Sequence, residues 1–127
     1  MRINSARELE VYKKAYSLAM DIFYASEKFP VEERHALNDQ ICRASRSVCQ
    51  NLREAWSKRR CQSHFVSKLT DCDGENSEVD TCLDFALDCG YRTPEAYAEM
   101  RVKNRDVGRM LGSMINNPQP FVLTSDL

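Results

Sequence analysis

The stretch TDCDGENSEVD, which ends at Asp80, has the residue types of a calcium-binding loop. An EF-hand loop takes oxygen ligands at positions 1, 3, 5 and 12 and a glycine at position 6. With Gly74 at position 6, Asp71 and Asp73 fall on positions 3 and 5, and Asp80 falls on position 12. Position 1 is then Leu69, which has no ligating atom. The spacing therefore argues against a calcium site.

The same stretch fits a packed helix better. Mostly apolar residues recur through it at alternating spacings of four and three: Phe65, Leu69, Cys72, Asn76, Val79, Leu83 and Ala86. This spacing is typical of the buried seam of a helix. Because the seam continues across the aspartates, the pattern predicts an acidic helix and no metal ligand.

Charge is segregated along the chain, although the net charge is only −1. Between Ile41 and Lys68, seven basic residues stand against one acid, Glu54. Between Asp71 and Asp88, seven acidic residues occur without a base. The basic residues before Lys68 form a stripe suited to phosphate contacts: Arg43, Arg46, Arg53, Lys58, Arg59 and Arg60. The alternative is that the two segments lie antiparallel and pair their charges.

Signals for catalysis are few. Glu32 and His35 form one Glu-x-x-His motif, whereas a carboxylate-bound metal bundle needs this motif on two helices. Neither His35 nor His64 has a Cys or Ser at a spacing that supports a nucleophile and base, and no phosphate-cradling glycine-rich loop occurs. We expect no catalytic residue, no metal ligand and no cofactor.

The cysteine pattern and the hydropathy indicate a cytoplasmic protein. Six cysteines are present, but no two are spaced as Cys-x-x-Cys, and no apolar run resembles a signal peptide or a membrane span. Reduced thiols packed in the interior are the expected state in that compartment. Cys72, Cys82 and Cys89 fall on positions that the helical pattern predicts to be buried.

The pattern predicts an all-α fold in one domain of residues 1–115. Capping signals bound four helices: Ser5 with Glu8 opens the first, Pro30 separates it from the second, Gly90 ends the third, and Thr93-Pro94 opens the fourth. The predicted helices span residues 5–28, 31–58, 62–89 and 94–115, and an extended tail covers residues 116–127. Short connections force antiparallel neighbours, which predicts an up-down four-helix bundle.

Two features of these helices bear on packing. The apolar residues of the first helix cover an arc of roughly 200°, about twice what one neighbour needs. Its second side therefore belongs either to another subunit or to a deeply buried position within one bundle. Asn76 and Asn104 lie on the seams of the third and fourth helices, where buried amides need hydrogen-bond partners. Such a residue has either a structural role, as in fixing helix register, or a binding role.

Several segments carry a resemblance to a known family. They are LEVYKKAYSLA, KFPVEER, SRSVCQNLREAW, FVSKL and LDFALDCGY, in this order over residues 7–115. Together they resemble the four-helix-bundle proteins encoded in intervening sequences of bacterial 23S rRNA genes, to which the accessory proteins of diversity-generating retroelements are similar. The sequence departs from the commoner family pattern at Cys49 and Ala55, where that pattern has Pro and Gly.

The resemblance implies a homo-oligomeric ring, typically of five subunits, which agrees with a two-sided first helix. It also implies a basic surface that engages nucleic acid in the retroelement relatives. Gly74 falls on the family's glycine in the third helix, where a close approach by another helix would compensate for lost helix propensity. A polar network is expected beside it, with Arg59 or Arg60 as further partners: Asn51, Glu54, Lys68, Asp71, Asp73 and Glu78.

Three functional hypotheses fit these observations. The first is a non-enzymatic, cytoplasmic, oligomeric scaffold or adaptor that binds protein partners. The second is a nucleic-acid-binding accessory protein that uses the basic stripe, Arg43 to Arg60. The third is a carboxylate-bundle metalloprotein or hydrolase. The basic stripe favours the second hypothesis only if the acids of the third helix leave it uncovered.

Overall fold

The computed structural model describes residues 3–123, which contain four α-helices and no strand. We number the helices in chain order: α1 is Glu10–Ser26, α2 is Leu37–Ser57, α3 is Gln62–Asp88 and α4 is Pro94–Asn116. Two short 3₁₀ turns, Ala6–Glu8 and Val31–Glu33, precede α1 and α2. The prediction of an all-α fold is confirmed.

Successive helices run antiparallel and form an up-down bundle. α1 packs against α2 and α4, and α3 packs against the same two helices, so α1 and α3 occupy opposite corners. The cross-helix pairs establish the direction: Arg43 pairs with Glu78 while Glu54, further along α2, pairs with Lys68. Asn76 likewise bonds to Asn104 while Asp80, further along α3, pairs with Arg101. The four-helix bundle predicted from the sequence is therefore confirmed for one chain, and the five-subunit ring stays a prediction.

The core fills the space between all four helices. The predicted α3 seam is buried along its whole length, from Phe65 to Ala86. Its residues join two apolar clusters, one around Leu52 and Leu111 and one around Ile41 and Tyr97. Helical periodicity located these core residues correctly because each helix has one continuous buried side.

Two helices begin later than their predicted starts. Ser5 caps the turn Ala6–Glu8 rather than α1, and Leu9 is extended (φ −67°, ψ 134°), so α1 begins at Glu10. α2 begins at Leu37 rather than at residue 31. There the Glu33 carboxylate accepts a hydrogen bond of 3.3 Å from the Leu37 amide and satisfies the first turn of the helix.

The later helix boundaries agree with their sequence signals. Gly90 has a φ of 74°, and the amides of Gly90 and Tyr91 donate to Leu87 and Ala86, the Schellman arrangement that closes α3. Thr93 caps α4 through a hydrogen bond of 3.4 Å from the Ala96 amide to its hydroxyl. These local motifs need no tertiary partner, which is why the sequence predicts them well.

The segment after α4 is docked and turned, not extended. The amide of Phe121 bonds to the carbonyl of Pro118 at 2.9 Å, which closes a turn. The Phe121 ring packs 6.3 Å from that of Phe65, and the Leu123 amide bonds to the carbonyl of Arg59. The extended prediction is thus wrong for this turn. Residues 124–127 lie outside the described residues.

The acidic stretch of residues 70–80 is helical throughout. It lies within α3, which continues without interruption from Gln62 to Asp88. Gly74 is exposed, and a Cβ atom added there would meet nothing within 4 Å. Within one chain, the close approach predicted at Gly74 is therefore wrong.

Candidate functional site

The outward side of α1 carries large apolar side chains that the chain itself leaves open. Tyr16 is 54% exposed, Met20 37% and Tyr24 59%. The alternative of a helix buried deeply within one bundle is therefore wrong. α1 uses one side for the core and presents a second apolar side to its surroundings.

A groove runs between this side of α1 and α2, with a volume of about 510 Å³. We call it the α1–α2 groove; its lining is Tyr12, Tyr16, Ala19, Met20, Phe23, Arg46, Cys49, Gln50 and Arg53. The Arg46 guanidinium lies 5.8 Å from the Phe23 ring centre, and that of Arg53 lies 5.5 Å from the Tyr12 ring centre. Both distances suit cation–π attraction, so the groove combines aromatic walls with two cations.

The basic residues predicted to form one stripe on α2 point toward two different helices. Arg43 turns toward α3, where it pairs with Glu78 and lies 3.4 Å from a Glu75 oxygen. Arg46 and Arg53 turn toward α1 and have no carboxylate partner among residues 3–123. Charge pairing between α2 and α3 thus occurs, but it neutralises only part of the stripe.

The remaining basic residues lie at the turn from α2 to α3. Arg59 stacks 3.6 Å from the Trp56 ring centre and donates a hydrogen bond of 2.7 Å to the Trp56 carbonyl. Partial burial there lowers the pKa of the Arg59 guanidinium. Lys58 and Arg60 are exposed and form no ion pair within the described part of the chain. Trp56 is half-buried as a packing partner for Arg59.

The structure brings together four of the six residues of the expected polar network. Lys68 Nζ lies 2.7 Å from a Glu54 oxygen and 3.6 Å from an Asp71 oxygen, and it donates to Asn51 Oδ1 at 3.4 Å. The hydrogen bond from Lys68 lowers the pKa of Glu54, and the same bond raises the pKa of Lys68. These contacts form a salt-bridge cluster between α2 and α3 at the surface.

The other two residues of that expected network lie elsewhere. Glu78 pairs with Arg43 rather than with Lys68, Arg59 or Arg60. Asp73 forms no ion pair among residues 3–123. The sequence pattern placed all these acids on one helix correctly. It did not show that the acids are distributed around the helix, toward α2 on one side and α4 on the other.

Arg101 is a charged partner that the sequence reasoning missed. Its guanidinium lies 2.8 Å from an Asp80 oxygen and pairs also with Asp84. The sequence did contain a signal for this pairing. If Asn76 and Asn104 face each other on antiparallel helices, a residue one turn after Asn76 on α3 lies opposite a residue one turn before Asn104 on α4. Arg101 lies about one turn before Asn104, which places it opposite these aspartates.

The amide pair between α3 and α4 is buried and hydrogen-bonded. Asn76 Nδ2 donates to the Asn104 carbonyl, and Asn104 Nδ2 donates to the carbonyl and Oδ1 of Asn76, each at 3.0 Å. A Cβ atom at Gly108 would lie only 3.3 Å from Asn76 Nδ2. A close approach therefore occurs at Gly108, where none was predicted from the sequence, and the asparagines set helix register within the chain.

The six thiols are all free, and they differ in burial. Burial raises the pKa of Cys49 to about 11 and that of Cys72 to about 12. Cys89 is exposed at the end of α3, so the prediction that it is buried is wrong. Cys61 is also exposed, and a hydrogen bond with Ser63 lowers its pKa.

No arrangement suited to a resident metal is evident in the described residues. Within residues 3–123, no group of three His, Cys, Asp or Glu side chains could hold a metal ion. His35 is exposed and lies 3.8 Å from an Asp39 oxygen, one turn further along the chain. In the same part of the chain, no helix combines the length and apolar character that a membrane span requires.

Comparison with solved structures supports the fold. One similar structure is that of a protein with unknown function from the S23 ribosomal protein family, from Bacteroides thetaiotaomicron VPI-5482. The match has a TM-score of 0.72 at 24% identity and covers 84% of this chain and 99% of the other. Identity at that level shows the shared fold alone. A comparison with functionally curated proteins gives no match.

The sequence also matches a protein family directly. Residues 7–113 match the 23S rRNA-intervening sequence proteins, which is most of the bundle. This agrees with the resemblance carried by the five sequence segments, while the relation to retroelement accessory proteins stays a prediction. The chain belongs to the 23S rRNA-intervening sequence protein family.

Proposed function

We propose that this protein is a cytosolic, non-enzymatic scaffold whose chains assemble with one another through the outward side of α1. The observation that carries the proposal is the open apolar side formed by Tyr16, Met20 and Tyr24. Contiguous apolar side chains at a surface mark interaction sites more often than isolated ones do. A further protein partner would then bind the assembled form.

The apolar side of α1 would supply part of the free energy that assembly needs. Complete burial of one large apolar side chain contributes about 1.5–3 kcal/mol. The exposed residues of α1 retain roughly half of their surface for such burial. Association itself costs about 4–15 kcal/mol in lost freedom, so several such residues must be buried together. Tyr16 and Met20 in one groove, with Arg46 and Arg53 beside them, would form part of such a contact, and further burial must come from the residues around them.

A ring of five subunits is the form of assembly we propose, and the family resemblance supports that number. A ring requires each chain to contact two neighbours through two different surfaces. The groove supplies one of the two surfaces. The second surface must lie elsewhere on the bundle, where the groove of a neighbouring copy can reach it.

The decisive experiment is sedimentation velocity on the purified chain between about 1 and 100 μM. We expect a single species several times the mass of 14.7 kDa, with five copies as the proposed number. An assembly with another number of subunits would retain the scaffold and overturn the pentamer. A monomer at every concentration would overturn self-assembly.

Nucleic-acid binding is a second candidate, favoured by one observation. Arg46, Arg53, Lys58 and Arg60 have no carboxylate partner among residues 3–123. Fluorescence anisotropy of labelled structured RNA and duplex DNA, titrated across a salt series, tests this candidate. Binding that weakens steeply with salt would support phosphate contacts, and absence of binding at low salt would exclude them.

A further inference from the structure

We infer that the α1–α2 groove receives the outer face of α3 of a second copy. The inference rests on the proposed self-assembly and adds which two surfaces meet. The outer face of α3 is a row of exposed small residues at helical spacing: Ser63, Ser67, Thr70, Gly74, Ser77 and Thr81. The groove combines apolar and aromatic side chains with two arginines. The surface of the second copy that it contacts must therefore be acidic and must leave room for the aromatic rings.

Charge complementarity favours this pairing of surfaces. Seven carboxylates lie on α3 from Asp71 to Asp88. In the described residues, only Arg43, Lys68 and Arg101 pair with them, and each of these cations is shared between two carboxylates. The helix therefore retains a negative charge after its internal pairing. The groove, with Arg46 and Arg53 unpaired among residues 3–123, has the opposite charge.

Shape favours the same pairing. None of the six residues in the row on α3 has a side chain larger than that of threonine. At Gly74 the backbone is exposed, and an added Cβ would meet nothing within 4 Å. The groove of another copy presents projecting side chains, Tyr16 and Met20, which need a shallow surface to pack against. A row of small residues allows that close approach, and acids flank it on α3, where the proposed contact would bring them toward the arginines at the groove.

The position of the two surfaces determines the type of assembly. α1 and α3 occupy opposite corners of the bundle, so one chain can use its groove and its α3 face at the same time. Such a contact joins two different surfaces and is head-to-tail, which produces rings when it closes. A contact between two grooves would instead bring Arg46 and Arg53 of one copy against the same cations of the other, and like charges disfavour it.

A mixing experiment tests the pairing of surfaces. The groove variant carries Tyr16→Ala with Met20→Ala, and both positions are exposed, so the fold is retained. The face variant carries Gly74→Lys, which adds bulk and a positive charge where a Cβ meets nothing in its own chain. Val102→Lys on α4, also at an exposed position, is the matched control. Circular dichroism verifies that each variant is helical.

The expected results are those of head-to-tail geometry. Each of the two variants alone loses the assembly at micromolar concentration, whereas Val102→Lys keeps it. Mixed in equal amounts, the two variants form a one-to-one heterodimer, because the intact groove of one meets the intact face of the other. Sedimentation velocity with one variant fluorescently labelled measures this species.

Other results would overturn the inference and can be told apart from failure of self-assembly. If the wild-type chain assembles but Gly74→Lys assembles equally well, the groove binds a different surface. If both variants are monomeric and the mixture also stays monomeric, the groove and the α3 face do not contact each other. A wild-type chain that is monomeric throughout would instead refute the proposed self-assembly, and with it the contact between copies.

Discussion

The α3–α4 interface and the α1–α2 groove differ in how far side chains of the same chain cover and hydrogen-bond the groups that lie there. Between α3 and α4, Asn76 and Asn104 satisfy each other and are at most 6% exposed. Between α1 and α2, Tyr16 and Met20 remain open beside Arg46 and Arg53. One interface is closed by groups on the same chain, and the other presents unused apolar and cationic groups. This difference is the reason why we propose the groove, and not the α3–α4 interface, as the contact surface for a second copy.

The largest expected effect comes from breaking the closed interface. Asn104→Ala leaves Asn76 Oδ1 buried without its donor, and we expect the free energy of unfolding to fall by about 3 kcal/mol. Urea denaturation followed by circular dichroism measures this. Replacing both asparagines by leucine should cost less than the sum of the single changes, since no orphaned group remains. A loss below about 1 kcal/mol for Asn104→Ala would mean that the pair contributes little.

For each unit of pH, alkaline titration of the interior has an intermediate effect. The pKa of Cys72 is raised to about 12 by burial, whereas a thiol in an unfolded chain titrates near pH 8.5. Above pH 8.5 the thiol of the unfolded chain loses its proton while the thiol of the folded chain keeps it. The free energy of unfolding is therefore highest below pH 8.5 and declines as the pH rises further. We expect the free energy of unfolding to fall by about 1.4 kcal/mol per pH unit for this thiol between about pH 9 and 12.

Cys49, whose pKa is raised to about 11, should add a similar fall in the free energy of unfolding per pH unit, over a narrower pH range. Urea titrations at successive pH values measure the total slope. Cys72→Ala is the control, and its slope should be smaller than that of the wild-type chain. Equal slopes in the two proteins would show that this thiol ionises without unfolding.

The smallest effect separates two helix glycines with different surroundings, Gly74 and Gly108. Gly74→Ala adds a methyl group in open space and should raise the free energy of unfolding by about 0.5–1 kcal/mol. Gly108→Ala places its methyl 3.3 Å from the Asn76 amide, which is held by hydrogen bonds to Asn104, so the same gain should not appear. Thermal denaturation of both variants measures the difference, and an equal gain would refute the close contact.

Spacing and local motifs predicted some parts of the bundle and not others. The buried seam of α3 and the caps at Gly90 and Thr93 were predicted correctly because they depend on nearby residues alone. The division of the basic stripe was not predictable. Arg43 and Arg46 are three residues apart and lie near one another on the helix, yet they turn to different neighbours. A rotation of α2 by a few tens of degrees decides this, and only packing of the whole bundle fixes that rotation.

The first residues of α1 and α2 were also not predicted correctly from the sequence pattern. The Ser5 and Glu8 pattern forms only in part: the Ser5 hydroxyl accepts from the Arg7 amide, and Glu8 accepts a hydrogen bond of 2.6 Å from the Asn4 amide rather than from that of Ser5. The motif nevertheless closes a separate 3₁₀ turn, because Leu9 becomes extended and directs the chain into the core. A capping box specifies where helical hydrogen bonding starts and not how long the helix becomes.

The up-down order of the helices has a consequence for how the chain folds. Three of the four helix interfaces join consecutive helices, and only the contact of α1 with α4 links segments distant in sequence. Contacts of this local kind close small loops and favour folding in microseconds to milliseconds. The pairs that join α1 to α4, Lys14 with Asp106 and Lys103 with Asp21, then belong to the last interface to form. We expect their removal to speed unfolding and leave the folding rate unchanged, which stopped-flow measurements in urea would reveal.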